Sequence, residues 1–274
     1  MRSSLVGASP GAYAPARCYT PRMPERSHIA RTLATLDSAE GFGVVRFGDD
    51  GVLAGRVAVL PSAFNPPTLA HRHLLDSARG VDEVSSAAAL LSTRNVDKGL
   101  YGAGLDERVG MLLADHVAPP PFAVLATNAA RLADQGEALR AAFPRVGFDF
   151  VVGYDTLIRL FDARYYTDMA AELGAFFEHH RVIAANRAEA TVVQVQEFIG
   201  REAVAFASRI VVHEIPPGPA ALSSTRARES AAEELIGEVL SPPVAAYISS
   251  HGLYGAAPAI EPHESQIVNR NRKS

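Results

Sequence analysis

The chain has 274 residues, 48% of them apolar, which is enough to bury one sizeable core while length alone leaves one or two domains open. Its formal charge of −4 argues against broad nucleic-acid or membrane-surface binding, and no apolar run approaches the ~20 residues needed to cross a bilayer. Cys18 is the single cysteine, so an internal disulfide framework or a cysteine metal site is excluded and a reducing, cytoplasmic setting is expected.

Residues 1–24 are rich in Ser, Ala, Pro and Gly, carry Arg2, Arg17 and Arg22, and have no acidic residue before Glu25. They read as a tail, a targeting segment, or the product of a start upstream of Met23. The ordered part is expected over residues 25–255 as one domain, with a polar, aperiodic and disordered tail over 256–274. Ile29 to Leu36 has helical spacing and Gly43 to Phe47 reads as an edge strand.

Val57 to Leu60 is a short apolar run rich in β-branched residues and bounded by Pro61, the pattern of a buried strand. The chain then turns through Ser62, Ala63, Phe64, Asn65, Pro66 and Pro67 before Thr68 opens a segment with Leu69, Leu74, Leu75 and Ala78 at helical spacing. The first turn of such a helix carries unpaired N–H groups and the positive end of its dipole, and an anion is favoured there. Thr68 and His71, three residues apart, fall on one face of that turn and can both donate to one phosphate.

Val84 to Leu91 is a second strand, ending in the polar loop Ser92 to Lys98, and Leu105 to His116 a helix with Val109, Leu112 and Leu113 on one face. Phe122 to Ala126, Gly147 to Val152, Val182 to Ala185 and Ile210 to Val212 are further strands separated by helical stretches. This alternation predicts a Rossmann-like, doubly wound parallel sheet with helices on both faces and ligands outside the carboxyl ends of the strands. The polar residues at those ends include Asn95 to Lys98, Thr127, Asn128, Gly153, Asp155, Asn186 and Arg187. Pro242 and Pro243 open a last helix, which His251 and Gly252 close.

Two stretches carry a resemblance. Ser62 to His71, SAFNPPTLAH, is similar to the first signature of the nucleotidylyltransferases, G-x-F-x-P-x-H-x-G-H. Leu222 to Arg228, LSSTRAR, resembles their second, I-S-S-T-x-x-R, in the expected order. Phe150 to Asp155 resembles the strand end G-x-D of the nicotinamide and nicotinate mononucleotide adenylyltransferases, and S-x-F-N-P-P-T resembles a divergent, largely fungal branch of them. Pro61 and Ser62 stand where the commoner pattern has glycines, and proline has no N–H to offer a phosphate.

The resemblance implies adenylyl transfer from ATP to a phosphorylated small molecule, above all nicotinamide or nicotinate mononucleotide, with release of pyrophosphate. It implies catalytic roles for Thr68, His71 and Arg228. Nucleotide contacts are implied for Ser62, Ala63, Phe64, Lys98, Gly153, Asp155, Arg187, Ser224 and Thr225, with Arg108 and Arg226 as weaker candidates. Mg²⁺ is expected to bridge the phosphates, held by them and by water rather than by a protein cage. Several of these residues have plainer readings beside these roles: Ser224 and Thr225 suit a helix N-cap, Asp155 suits the N-cap of a helix opening at Thr156, Lys98 a solvated loop, and His73 and His116 structural positions. A cytidylyltransferase and a catalytically silent nucleotide sensor remain as alternatives, while a class I aminoacyl-tRNA synthetase would need an anticodon-binding extension and a basic surface that this chain lacks. Oligomeric state is left open.

Overall fold

The computed structural model describes residues 24–48, 53–94, 102–116, 118–186, 190–215, 224 and 238–255. Their centre is a seven-stranded sheet: β1 (Val44–Phe47), β2 (Arg56–Pro61), β3 (Val84–Ser92), β4 (Ala123–Thr127), β5 (Gly147–Gly153), β6 (Arg181–Ala185) and β7 (Ile210–His213). The spatial order is β1-β4-β3-β2-β5-β6-β7. From β2 onward every pairing is parallel, and the order from β4 to β7 is that of two doubly wound halves meeting at β2 and β5. The predicted sheet is therefore present, with one difference: β1 runs antiparallel to β4, Val44 opposite Thr127 and Phe47 opposite Val124.

Alternation along each inner strand explains the two faces. Ala58 and Leu60 of β2, with Ala87, Ala89 and Leu91 of β3, pack against α1 (Arg26–Ser38), α2 (Leu69–Ala78) and α3 (Leu105–Asp115). The intervening Val57, Val59, Ala88 and Leu90 turn to the opposite layer, built from α4 (Leu132–Ala142), α5 (Tyr154–Leu160), α6 (Met169–His179) and α7 (Val192–Glu202). Strands covered on both faces must be apolar throughout, and Val57 to Leu60 are each at most 4% exposed. The final helix, α8 (Pro242–Ser250), adds a smaller cluster in which Val244, Ala245 and Ile248 meet Met111 of α3. Tyr247 on α8 donates to Glu107 at 2.8 Å, and Arg26 of α1 pairs with the same carboxylate.

Buried polar groups pin the layers. Asn128, fully buried, accepts from the Gly43 N–H at 2.7 Å and donates to the carbonyls of Leu36 at 3.0 Å and Gly41 at 2.9 Å, and Thr127 donates to the Gly43 carbonyl at 2.8 Å. These bonds hold the antiparallel edge strand against β4. His180, which ends α6, is sandwiched between Phe150 and Phe176, with ring centroids 5.4 and 5.2 Å away. Its Nε2 lies 3.1 Å from the Gly136 carbonyl and its Nδ1 3.3 Å from that of Phe148.

Burial pulls the His180 pKa down to about 4 from its ordinary 6.5, even though the two carbonyls favour the protonated ring. In the window between those values the unfolded chain binds the extra proton, so stability present above about pH 6.5 is lost as pH falls towards 4. Urea titrations across that window should lose up to about 3 kcal/mol from this group, at about 1.4 kcal/mol per pH unit. The His180→Leu variant should show a flatter acid limb; an unchanged slope would contradict the assignment.

Candidate active site

The loop after β2 departs from the sheet one residue later than its proline suggests. Ser62 N–H donates to the Leu90 carbonyl at 3.2 Å, extending the β2–β3 ladder, so this N–H is used by the sheet and does not face an anion. Ala63 is exposed, and Phe64 adopts a left-handed backbone, φ 44°, a region costly for a bulky residue. The Phe64 ring is buried and lies 5.0 Å from the His71 ring, and that packing holds the turn in place.

Thr68 is the N-cap of α2, and both it and His71 are 4% exposed. Thr68 N–H donates to Nδ1 of His71 at 3.0 Å, and its Oγ1 lies 2.9 Å from the same atom. A backbone N–H can only donate, so Nδ1 must accept and the ring proton sits on Nε2. Nε2 is 3.0 Å from the Ser62 hydroxyl oxygen, which accepts this proton and keeps its own O–H to donate. Thr68 and His71 are thus joined in series with Ser62 rather than side by side on a phosphate. The Leu69 N–H, in the first turn of α2, donates to the Val239 carbonyl at 2.8 Å. The open helix terminus expected from the sequence is partly closed by these internal acceptors.

Three tethers hold the same loop. Arg108, 4% exposed, donates to the carbonyls of Ala103 at 2.9 Å and Ala63 at 3.2 Å. Asn65 Oδ1 accepts from Ala103 N–H at 3.2 Å and from the Tyr254 hydroxyl at 2.6 Å, and this leaves no room for a side chain on Gly102, whose Cβ would stand 2.6 Å from Asn65 Nδ2. Ser224 donates to the Pro66 carbonyl at 2.9 Å, which brings the two signatures together although 158 residues separate the partners. Its one hydroxyl proton is directed at that carbonyl rather than outward. Lys98, Arg187, Thr225, Arg226 and Arg228 lie outside the described residues.

Other expectations are redirected. Gly153, not Asp155, caps α5, which opens at Tyr154; Asp155 sits exposed in its first turn. Thr127 and Asn128 are spent on the backbone of Leu36, Gly41 and Gly43 leading into β1, and Asn186 on Ile215, donating at 3.2 Å and accepting at 2.6 Å. His116 is buried, with Nδ1 2.7 Å from the Leu113 carbonyl.

Beside Ser62 a cavity of about 190 Å³ opens over the carboxyl ends of β2 to β5. It is lined by Pro61, Ser62, Ala63, Leu90, Ser92, Arg94, Arg108, Ala130, Arg131, Leu132, Gln135, Thr156, Arg159, Leu160, Tyr165 and Tyr166. Most of this lining carried no motif signal; the adjacent Tyr165 and Tyr166, following the G-x-D strand end, were its most visible trace. Arg131 pairs with Asp134 at 2.7 Å and Glu172 at 2.8 Å, and these contacts hold its pKa above the ordinary arginine value. Tyr166, pushed up to about 12 by burial, donates to the Leu160 carbonyl at 2.6 Å. Arg94 pairs with Asp37 at 3.1 Å and donates to the Asp37 carbonyl at 2.6 Å.

The fold defines a class first. It is shared with the nicotinic acid mononucleotide adenylyltransferase of Plasmodium falciparum, solved with APC at a TM-score of 0.55 and 15% identity over 74% of this chain and 98% of that one. The same enzyme with NaAD gives a TM-score of 0.56 and 16% identity over 73% and 98%. At such identities the likeness is one of fold.

The sequence narrows this further: 135 residues are 30% identical to a Schizosaccharomyces pombe protein provisionally named a nicotinamide mononucleotide adenylyltransferase. The match covers 48% of this chain and 53% of the relative, so the chain spans about half the length of the curated relative it matches. No family model matches. In fold and sequence the chain resembles the nicotinamide and nicotinate mononucleotide adenylyltransferases.

The Tyr254–Asn65 bond gives a direct check on how this loop is held. Tyr254→Phe should cost about 1 kcal/mol in urea unfolding, the net worth of one hydrogen bond, whereas Asn65→Ala, which strands both the Ala103 N–H and the Tyr254 hydroxyl, should cost more, about 2–3 kcal/mol.

Proposed function

We propose that this chain transfers the adenylyl group of ATP to the phosphate of a pyridine mononucleotide, releasing pyrophosphate and forming an NAD-type dinucleotide. The observation that carries this reading is the Ser224–Pro66 hydrogen bond, since it joins a residue of the second signature to one of the first, on the loop whose residues Pro61 to Ala63 line a cleft over the strand ends. The named activities of the relatives support the same reading.

An oxygen of the acceptor phosphate forms the new bond to the α-phosphorus while the bond from that phosphorus to the α,β-bridging oxygen breaks and pyrophosphate leaves with that oxygen. That oxygen is already anionic at neutral pH, so no general base is required. The protein's task is alignment and neutralisation of the charge that grows on the α-phosphate and leaving group. His71 and Ser62 form a preorganised donor chain, with Thr68 setting the tautomer of the ring. Arg228 and Thr225, with Lys98 and Arg187, are assigned to the phosphates by their places in the signatures and loops. The acceptor's ring is assigned to the part of the cavity lined by Leu132, Leu160, Tyr165 and Tyr166.

Among the described residues no group of three or more His, Cys, Asp or Glu side chains could hold a metal ion. The donors at the loop are hydroxyl, imidazole and guanidinium groups, which do not fit a protein-held divalent cation; Mg²⁺ enters this reading as part of the ATP substrate. Nor is any helix of the described residues long and apolar enough to cross a membrane.

The reading is tested by incubating ATP or CTP with nicotinamide mononucleotide, nicotinate mononucleotide, phosphocholine, glycerol phosphate or phosphopantetheine, and measuring pyrophosphate and the new product. ATP with a pyridine mononucleotide should react; turnover confined to CTP, or ATP binding without any turnover, would sink the proposal. His71→Ala should lower kcat roughly a hundredfold while weakening ATP binding far less, the signature of a lost transition-state donor. In a nucleotide sensor the same change would register only in affinity.

A further inference from the structure

Three non-glycine residues among the described residues have a positive φ, and two of them meet at one side chain. Phe64, φ 44°, immediately precedes Asn65, and Tyr254, φ 56°, donates its hydroxyl proton to Asn65 Oδ1 at 2.6 Å. The Ala103 N–H donates to the same atom at 3.2 Å, which fixes it as the amide oxygen. Gly102, φ 76°, closes a third side so tightly that a Cβ would stand 2.6 Å from Asn65 Nδ2, and Asn65 itself is 3% exposed. Left-handed backbone at a phenylalanine and a tyrosine is unfavourable and persists only where the surroundings over-determine it, and such residues gather at working sites. The third residue, Glu83, belongs instead to the charged network at the amino ends of the strands, where it pairs with Arg181.

What this support holds in place is the donor chain. The Phe64 ring lies 5.0 Å from the His71 imidazole, whose Nε2 reaches Ser62 at 3.0 Å. Without its outside partners Asn65 would let Phe64 return to negative φ and carry its ring off the imidazole, which then loses the packing that fixes its orientation. A catalytic group misplaced by about 1 Å can forfeit a hundredfold in rate. The anchor on the far side is well packed: Tyr254 and Leu253 lie against the cluster that holds Ala103, Met111, Val244 and Ile248, so both donors to Asn65 rise from one apolar body.

We propose that Tyr254 is a positioning residue for adenylyl transfer: acting through Asn65 and Phe64 rather than on a reactant, it holds the His71 imidazole where the transition state needs its donor chain. This rests on the reading of the loop after β2 as part of the reacting site. A residue that acts through the imidazole cannot contribute more than the imidazole does, and without the imidazole it contributes nothing. A residue that only stabilises the fold is under neither limit.

The test is steady-state kinetics, with ATP and whichever pyridine mononucleotide the parent accepts, on the parent, Tyr254→Phe, His71→Ala and the two changes combined. Tyr254→Phe should lower kcat about tenfold, inside the roughly hundredfold loss expected for His71→Ala, and leave KM for ATP within about twofold. In the His71→Ala background the same change should alter kcat by less than about twofold. A second tenfold loss there, or an unchanged kcat in Tyr254→Phe alone, would overturn the proposal. Tyr247→Phe is the control, because it removes a comparable hydroxyl hydrogen bond, to Glu107 at 2.8 Å, from the same C-terminal segment without touching the loop. It should leave kcat within about twofold, and a loss equal to that of Tyr254→Phe would mean destabilisation alone. Should Tyr254→Phe not fold, Gly102→Ala presses on Asn65 from another side and carries the same expectations. If the parent turns over no pyridine mononucleotide, adenylyl transfer fails, and the His71 tautomer decides the role of Tyr254 separately. Nitrogen NMR should then find the ring proton fixed on Nε2 in the parent and shared between the two nitrogens in Tyr254→Phe; a tautomer fixed alike in both would end that role.

Discussion

Asp149 is wholly buried in the middle of the sheet, and its charge is tolerable there because two guanidinium groups reach it from neighbouring strands. Arg56, opening β2, approaches one carboxylate oxygen to 2.6 Å, and Arg181, opening β6, approaches the other to the same distance. Removing one partner of such a buried set typically costs about 3–5 kcal/mol, because the remaining charge is left without compensation. Glu83, at the start of β3, extends the network to Arg181 at 3.1 Å and to Arg56 at 3.7 Å. Four adjacent strands are thereby tied together at their amino ends. Parallel strands in fixed register then bring their carboxyl ends to one edge, where every loop of the site emerges.

At that edge the loop after β2 depends on distant parts of the chain. Its carbonyls and its one asparagine are held by Arg108, Ala103, Ser224 and Tyr254, and the first turn of α2 is met by Val239. Such support allows Phe64 to occupy a left-handed backbone without being glycine. It also changes what the helix terminus can offer. With the Thr68 N–H on His71 and the Leu69 N–H on Val239, donation passes through the His71 imidazole to Ser62. The absence of glycines before Phe64 is consistent with this arrangement, because the Ser62 N–H belongs to the sheet and side chains take over as donors.

The cavity beside this donor chain is rich in arginine, yet much of that charge is already paired. Arg131 and Arg94 face carboxylates, and Arg108 is occupied by backbone carbonyls. These arginines build the walls of the cleft.

Much of this was legible in the sequence, for local reasons. Strands covered on both sides leave unbroken apolar runs such as Val57 to Leu60, the helices between them show their own spacing, and a strand, a tight loop and a capping threonine announce a strand–loop–helix junction; these features depend on near neighbours in the chain. The rest depended on partners far apart. Nothing around Asn128 or Asn186 distinguishes a ligand contact from a backbone tether, and only the approach of Gly43 and Ile215 decided it. The antiparallel course of β1, the closure of the α2 terminus by Val239 and the joining of Ser224 to Pro66 are likewise decided by tertiary structure, since each hydrogen bond needs a second group that lies some 80 to 170 residues away along the chain.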